Sequence, residues 1–347
     1  MIREAISKLV DKKSLQFEEA KEAFEQIFTH KATAVQIASF LTALKIKGET
    51  EAEILAAATV IREKANKVNV RDSFVGIEDK DEPVMDTCGT GGSGLNKFNI
   101  STAVSFVISA AGIKVAKHGN RAMSSSCGSA DVLEALDVDI GVSPEIMQES
   151  IKRVGIGFLY APLYHPALAE VAKVRKELGI RTIFNILGPL CNPASASHQL
   201  LGVYSRSLTH LMAKVLRSLG VKKAFVVNSK DLCDEISLSG PTHVSFLNNK
   251  KISNLTLKPS NFGLKKIKIK NLLVKDVKMR AKIIKDILNK KHSDARDIVL
   301  ANAGACFYML GKAKNLKQGV KLAAGLIDEG KAKDVYLKFK AFLEENA

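Results

Sequence analysis

Residues 86–102 read "DTCGTGGSGLNKFNIST", with glycine at four of the six positions 89–94. The apolar run "PVMD" leads into the glycines, and "STAVSFVISAAG" follows them with the composition of a buried helix. The stretch therefore reads as strand, glycine bend and helix N-terminus. From Gly89 to Gly94 it also spells G-x-G-x-x-G, the pattern of a dinucleotide site. Such a site needs an acidic residue about 20 positions further on to take the ribose hydroxyls. No Asp or Glu occurs between Asp86 and Asp131, whereas Lys97, Lys114, Lys117, His118 and Arg121 do. A nucleotide P-loop is excluded too, because Gly94 is followed by Leu95 and Asn96 rather than Lys and Ser or Thr. What remains is a bend whose backbone N–H groups, with the helix N-terminus behind them, cradle a phosphate.

The next strand, "KVAKH", ends in a second loop of similar chemistry, "KHGNRAMSSSCGSAD" at residues 117–131. Two cations, an amide and several hydroxyls suit phosphate and ribose oxygens. Both loops leave strands of one βαβ unit, so both are expected to face one cavity. Further on, strands at "IGFLYA", "LLGVYS" and "KAFVVNS" alternate with helices at "SPEIMQESIKRV", "PALAEVAKVRKELG" and "SLTHLMAKVLRSLG", with "FNILGPLCNP" as a loop. That alternation specifies a mainly parallel sheet covered by helices, with ligands beyond the carboxyl ends of its strands.

Residues 1–74 differ. Their apolar residues recur at helical spacing, and Thr33-x-x-Gln36 and Thr50-x-x-Glu53 form capping boxes. The expected fold is thus α/β, with a small N-terminal all-helical domain (1–74) and a large domain (75–347) built on the parallel sheet. The helical segment at about 166–180 is expected to pack on the smaller domain.

The formal net charge of +16 concerns partners rather than fold. Much of it lies in residues 250–291, where lysines alternate with Ile, Leu and Val as on the solvent face of an edge strand and then of a helix. The longest apolar stretch is far shorter than the roughly 20 residues of a membrane span, and the N-terminus has no signal-peptide pattern. Five scattered cysteines (Cys88, Cys127, Cys191, Cys233, Cys306) without C-x-x-C spacing read as reduced thiols in a cytoplasmic protein, with packing roles for Cys88 and Cys127. Asp234 and Glu235 are adjacent carboxylates, which read either as a surface turn or as ligands for Mg²⁺, since that ion takes one or two carboxylates beside a diphosphate.

Together "KGET", "DTCGTGGSG" with "NIST", "KHGNRA" with "GSADVLEALD", "FLYAPLYHPAL", "VRKELGIRTIFNILGPLCNPA", "DEISLSGPT" and "ANAGA" resemble the anthranilate phosphoribosyltransferase family over nearly the whole chain. The resemblance implies transfer of a phosphoribosyl group from phosphoribosyl diphosphate (PRPP) to anthranilate in tryptophan biosynthesis, with up to two Mg²⁺ per subunit. It implies a homodimer formed through the helical domain, and association with anthranilate synthase is a further possible partnership. Carried over motif by motif, PRPP falls to Gly89, Thr90, Gly91, Gly92, Ser93, Lys97, Asn99, Ile100, Ser101, Thr102, Lys117, Asn120 and Ser129. Anthranilate falls to Gly89, His118, Asn120, Arg175 and Gly188, and metal to Ser101, Asp234 and Glu235. Ser93, Lys97 and Ser126 depart from the family pattern, as does the loop before Asp234.

The anthranilate amine is neutral at pH 7, so no strong general base is expected; Lys117, His118 and Arg175 act electrostatically and by positioning. Two alternatives stand beside this reading. One is a pyrimidine-nucleoside phosphorylase of the same architecture. The other is a catalytically silent paralogue binding nucleic acid through its basic surface, disfavoured because the loops are largely intact.

Overall fold

The computed structural model describes residues 1–347 except 72, 75–76, 79–81, 93, 122–126 and 232–233. Ser93, Ser126 and Cys233 lie outside the described residues, as does residue 75, the first after the boundary drawn above. Four helices open the chain: α1 (Ile2–Val10), α2 (Phe17–Phe28), α3 (Ala34–Lys47) and α4 (Glu51–Glu63). Both Thr capping boxes form. Thr33 Oγ1 accepts from Gln36 N at 3.3 Å and Gln36 Oε1 accepts from Thr33 N at 2.9 Å. In the second box Glu53 is fully buried, because it also accepts from Leu15 N and from Lys47 Nζ, each at 2.9 Å. One carboxylate thus ties together α3, α4 and the turn before α2.

A short hairpin, β1 (Ser73–Phe74) and β2 (Ile77–Glu78), precedes the main sheet. The βαβ unit read from the glycine stretch is β3 (Val84–Gly89), α5 (Ile100–Ser109) and β4 (Lys114–Gly119). After it come α6 (Ser129–Glu134), α7 (Pro144–Arg153), β5 (Ile156–Tyr160), α8 (Ala161–Tyr164), α9 (Ala169–Leu178), α10 (Phe184–Leu187), β6 (His198–Gly202), α11 (Leu208–Ser218) and β7 (Lys223–Ser229). Ser143 caps α7 through Ile146 N, with Pro144 at its first position. The remainder is β8 (Thr242–Asn248), β9 (Lys251–Leu257), α12 (Val277–Leu288), α13 (Asp294–Met309), α14 (Leu316–Asp328) and α15 (Lys331–Asn346).

The seven-stranded sheet runs β5-β4-β3-β6-β7-β8-β9, parallel from β5 to β7 and antiparallel beyond. The chain leaves β3 toward one side, through β4 and β5, and later returns to its other side as β6 and β7. The switch between β3 and β6 leaves a crevice beyond their carboxyl ends, the place where open α/β sheets bind ligands. β3, β4 and β6 are buried nearly throughout, since helices cover both of their faces.

Two elements differ from the sequence reading. "FNILGPLCNP" is not a plain loop: its first half is α10 and a 3₁₀ turn follows over Gly188–Leu190. β8 escaped notice because its burial comes from β7 on one side and β9 on the other. β9 is the free edge, largely exposed, and no carboxylate occurs between Glu235 and Asp276. Lys250, Lys251 and Lys258 face solvent there, an arrangement that guards a sheet edge against pairing.

The helical bundle does not close on itself. Phe24, Phe28 and Phe40 share one apolar cluster with Val171 and Val174 of α9, Phe184 of α10, Met212 of α11 and Leu201 of the sheet. Phe28 meets Phe184 edge to face at 6.1 Å. On the opposite face of the sheet α5 packs against α13 and α15. α13 and α14 cross with backbones in contact: a Cβ on Gly319 would lie 2.2 Å from Gly304 O.

Candidate active site

A cavity of about 510 Å³ opens at the β3–β6 switch. Thr90 N donates to Gly202 O at 2.9 Å, and Thr90 Oγ1 accepts from Tyr204 N at 3.1 Å, so the bend starts as a continuation of the β3–β6 ladder. Gly91, Gly92 and Gly94 then take positive φ of 64–77°, the left-handed region that side chains disfavour. Arg181, stacked on Tyr204 at 4.8 Å, holds the bend by donating to Gly92 O at 2.7 Å. The bend delivers the chain to Asn99, the N-cap of α5, whose amide donates to Gly128 O at 3.0 Å and so joins the two loops.

Asp86, buried at the root of β3, accepts from His118 N (3.2 Å), Asn192 Nδ2 (2.8 Å) and Gln199 Nε2 (3.3 Å). Desolvation raises its pKa, while Asn192 and Lys117 act the other way. Lys117, equally buried, donates to Thr87 O and to Ser101 Oγ, the latter at 3.1 Å. Burial lowers its pKa, with Asp86 opposing. The two charges fix β3, β4 and the start of α5 as a rigid floor. Burial also raises the Cys88 and Cys127 thiols, so neither is a ready thiolate.

Gly89 and Gly202 are register partners at the ends of β3 and β6, and Asp234 lies across both. A Cβ on Gly202 would stand 1.8 Å from Asp234 O, and one on Gly89 2.8 Å from Asp234 Oδ2. Behind the acidic pair, Asn302 of α13 accepts from Ile236 N at 3.2 Å and donates to Ile236 O at 3.1 Å. Both carboxylates are buried and ion-paired with Lys97. Glu235 is nonetheless raised to about 7, chiefly by burial, with Asp234 adding to it and Lys97 opposing. The pair is thus short of positive charge, which fits a divalent cation. No cluster of three or more His, Cys, Asp or Glu among the described residues could hold a metal alone. A metal here would share Asp234 and Glu235, near Ser101, with substrate oxygens and water, as Mg²⁺ does.

This titration carries a sign. Between about 4.5, the ordinary carboxyl value, and about 7, the folded chain holds a proton on Glu235 that the unfolded chain has lost. In EDTA, Glu235 therefore contributes a fall in Tm as pH rises through that window, with no further change above it. Glu235→Gln should remove that slope; an unchanged slope would assign it to other groups.

The far wall of the cavity has different chemistry. The guanidinium of Arg175, on α9, lies 5.2 Å over the Phe184 ring, and burial lowers its pKa. No carboxylate among the described residues pairs with it. His118 Nδ1 lies 3.0 Å from Gly188 O; a carbonyl only accepts, so Nδ1 carries the proton and Nε2 is a bare acceptor. His118 is lowered to about 3, mainly by burial and then by His165, whose ring is 5.0 Å away and itself lowered to about 4. Both imidazoles are neutral at pH 7. Among the described residues, His118 Nε2 has no hydrogen-bond partner.

Gly89, Thr90, Gly91, Gly92, Lys97, Asn99, Ser101, Lys117, His118, Asn120, Ser129, Arg175, Gly188, Asp234 and Glu235 all line this cavity. Ile100 and Thr102 do not; both side chains are buried behind it, because the first turn of α5 packs into the core. Arg121 also lines the cavity, with its guanidinium engaged by Glu134 through two 2.6 Å contacts and by Asp131 at 3.2 Å. Sequence reasoning missed His165, Arg181, Gly202 and Arg280, the last donating to Val274 O and Cys127 O. For Gly202 a signal existed, since glycine inside a strand marks close backbone approach.

Family models for the helical bundle domain and the a/b domain of the glycosyl transferase family match residues 3–65 and 81–333. An anthranilate phosphoribosyltransferase of Geobacter sp. (strain M21) is 49% identical over 337 residues, 96% of each chain. The chain belongs to the anthranilate phosphoribosyltransferase family. A second relative of that name, from Persephonella marina, is 44% identical over 99% of both chains. Among solved structures, the anthranilate phosphoribosyltransferase of Thermus thermophilus superposes with a TM-score of 0.90 at 38% identity, covering 98% of this chain and 99% of that one. The Saccharomyces cerevisiae anthranilate phosphoribosyltransferase, solved in complex with PRPP and Mg, gives 0.89 at 28% identity, covering 99% and 98%.

Proposed function

We propose that the chain transfers the 5-phosphoribosyl group of PRPP to the amine of anthranilate, giving N-(5-phosphoribosyl)anthranilate and pyrophosphate. One observation carries this reading. A single cavity joins an anion cradle and an acidic pair at one end to an arginine with no carboxylate partner among the described residues and two neutral histidines at the other. The cradle N–H groups and the N-terminus of α5 bind the diphosphate of PRPP. Lys117 holds Ser101 and the end of β3 in place, and Asn120 and Ser129 reach the phosphoribosyl group from the second loop. Asp234 and Glu235, with Ser101, would hold Mg²⁺, which would supply charge neutralisation for the departing pyrophosphate. Arg175 grips the anthranilate carboxylate, and His118 Nε2 accepts an N–H of the amine, aiming its lone pair at the anomeric carbon. With a pKa of about 3, His118 orients the amine rather than deprotonating it. Buried walls keep competing water from the sugar.

The direct test is loss of anthranilate fluorescence with PRPP and Mg²⁺. Fluorescence that stays constant, or turnover that needs inorganic phosphate and a nucleoside instead, rejects the assignment. Arg175→Ala should raise the anthranilate KM roughly 10- to 100-fold, as for a lost charge-assisted hydrogen bond. Its PRPP KM should hardly move. Equal changes in both would remove Arg175 from that role.

The relatives speak for neither the phosphorylase nor the nucleic-acid reading. No helix among the described residues is long and apolar enough to cross a membrane. A cytoplasmic location belongs to this reading and rests on the scattered cysteines. So does a homodimer through the helical bundle, where Val10, Val35 and Ile46 are exposed apolar residues on α1 and α3. Association with anthranilate synthase, which supplies one substrate, completes the set of proposed partners.

A further inference from the structure

Lys97 stands between the glycine bend and α5, and its backbone is fixed from outside. It forms an antiparallel bridge with Leu273, flanked by Phe98 N donating to Leu272 O at 3.1 Å and by Val274 N donating to Asn96 O. Its side chain crosses the cavity floor to the acidic pair. The ammonium is ion-paired with Asp234 Oδ1 and lies 4.0 Å from Glu235 Oε1. The three side chains are only 12%, 10% and 11% exposed, so water screens this contact little. A positive charge of the protein's own thus sits where a divalent ion would have to bind.

We propose that Lys97 is an internal counter-cation that closes the acidic pair in the substrate-free enzyme, so that Mg²⁺ enters with the diphosphate and not ahead of it. This rests on the reading of Asp234 and Glu235 as metal carboxylates. A carboxylate oxygen ligating Mg²⁺ sits about 2.1 Å from the ion. An ammonium in contact with the same oxygen would then face a like charge in a buried site, so metal and Lys97 compete for the pair. A diphosphate changes the balance. It brings several negative oxygens to the cradle beside Lys97, and the four-carbon stem lets the ammonium turn to them. The carboxylates are then released to the metal at the moment the leaving group needs it. Before that, Lys97 offsets part of the buried negative charge of the pair.

The test is metal uptake, read by calorimetry with Mg²⁺ and by the electron paramagnetic resonance of free Mn²⁺, on the full chain without substrate. Wild type should bind either ion at least tenfold more weakly than Lys97→Gln. The Gln variant should also gain an Mg²⁺-dependent rise in Tm that wild type lacks, while Lys97→Arg, which keeps the charge, behaves as wild type. With pyrophosphate present, wild type should take up metal, and Glu235→Gln should not. A Gln variant that binds metal no better than wild type overturns the proposal. If that variant does not fold, wild type beside Glu235→Gln decides: a substrate-free Mn²⁺ site in wild type that Glu235→Gln abolishes overturns it, and the lack of one supports it. Uptake with pyrophosphate that ignores Glu235→Gln would remove the metal reading itself, and the proposal with it.

Discussion

Converting Asp234 and Glu235 together to Asn and Gln should lower turnover at saturating substrates by roughly 10³-fold or more, the scale of losing a metal's several kcal/mol of charge stabilisation. The amides keep the size of the side chains but bind Mg²⁺ poorly, so the charge developing on the departing pyrophosphate would go unneutralised. Anthranilate binding should survive, because Arg175 and His118 lie at the other end of the cavity. The discriminating measurements are single-turnover rates with PRPP and Mg²⁺ beside the anthranilate Kd from its own fluorescence. Turnover within tenfold of wild type would show that the pair is not part of the machinery. Loss of anthranilate binding in parallel would point to a collapsed site instead.

Gly202→Ala should be nearly as damaging, though residue 202 carries no chemistry. The added methyl meets Asp234 O at 1.8 Å, Asp234 C at 2.4 Å and Asp234 Cα at 2.8 Å. All three are backbone or Cα atoms, so no rotamer relieves the clash; the acidic loop must move, or β6 must. Displacement of catalytic groups by about 1 Å can cost on the order of 10²-fold in rate. Overpacking of a well-packed core costs roughly 1–3 kcal/mol more in stability. Because Gly202 O also anchors Thr90 N, the cradle shifts with the loop. The informative comparison is kcat and Mg²⁺ dependence against Gly325→Ala on α14, where the nearest atom to a new Cβ is Glu329 Oε1 at 3.8 Å. If Gly202→Ala keeps wild-type kcat and metal dependence, the tight crossing over β6 is not what places the carboxylates.

Local features were legible in the order of residues. The βαβ unit around the glycines, the Thr33 and Thr50 boxes and the Ser143-Pro144 start of α7 each depend on neighbours within a few positions, and these propensities act locally. Features resting on distant partners were not. Lys97 reads as a loop lysine until Asp234, far along the chain, is brought to it. The ion pairs of Arg121 with Asp131 and Glu134 become visible only once helix formation places those carboxylates beside it. Nothing around His165 tells a buried imidazole at a ligand wall from one in a core, and β8 is buried only through its distant pairing with β7 and β9. For Asp234 and Glu235 the residues alone left surface turn and metal ligand equally open, and only the resemblance tipped the choice. Their burial beneath Lys97 is a product of the fold.

The contact between Gly304 and Gly319 bears on more than packing. α13 carries both Gly304 and Asn302, and Asn302 grips the peptide that follows Glu235. The depth at which α13 seats is therefore passed directly to the carboxylates. Two positions outside the cavity lining are closed to any residue bearing a side chain, and the α13–α14 crossing works as a gauge block for the chemistry. A side chain added at either glycine of that hidden seam would be felt inside the cavity.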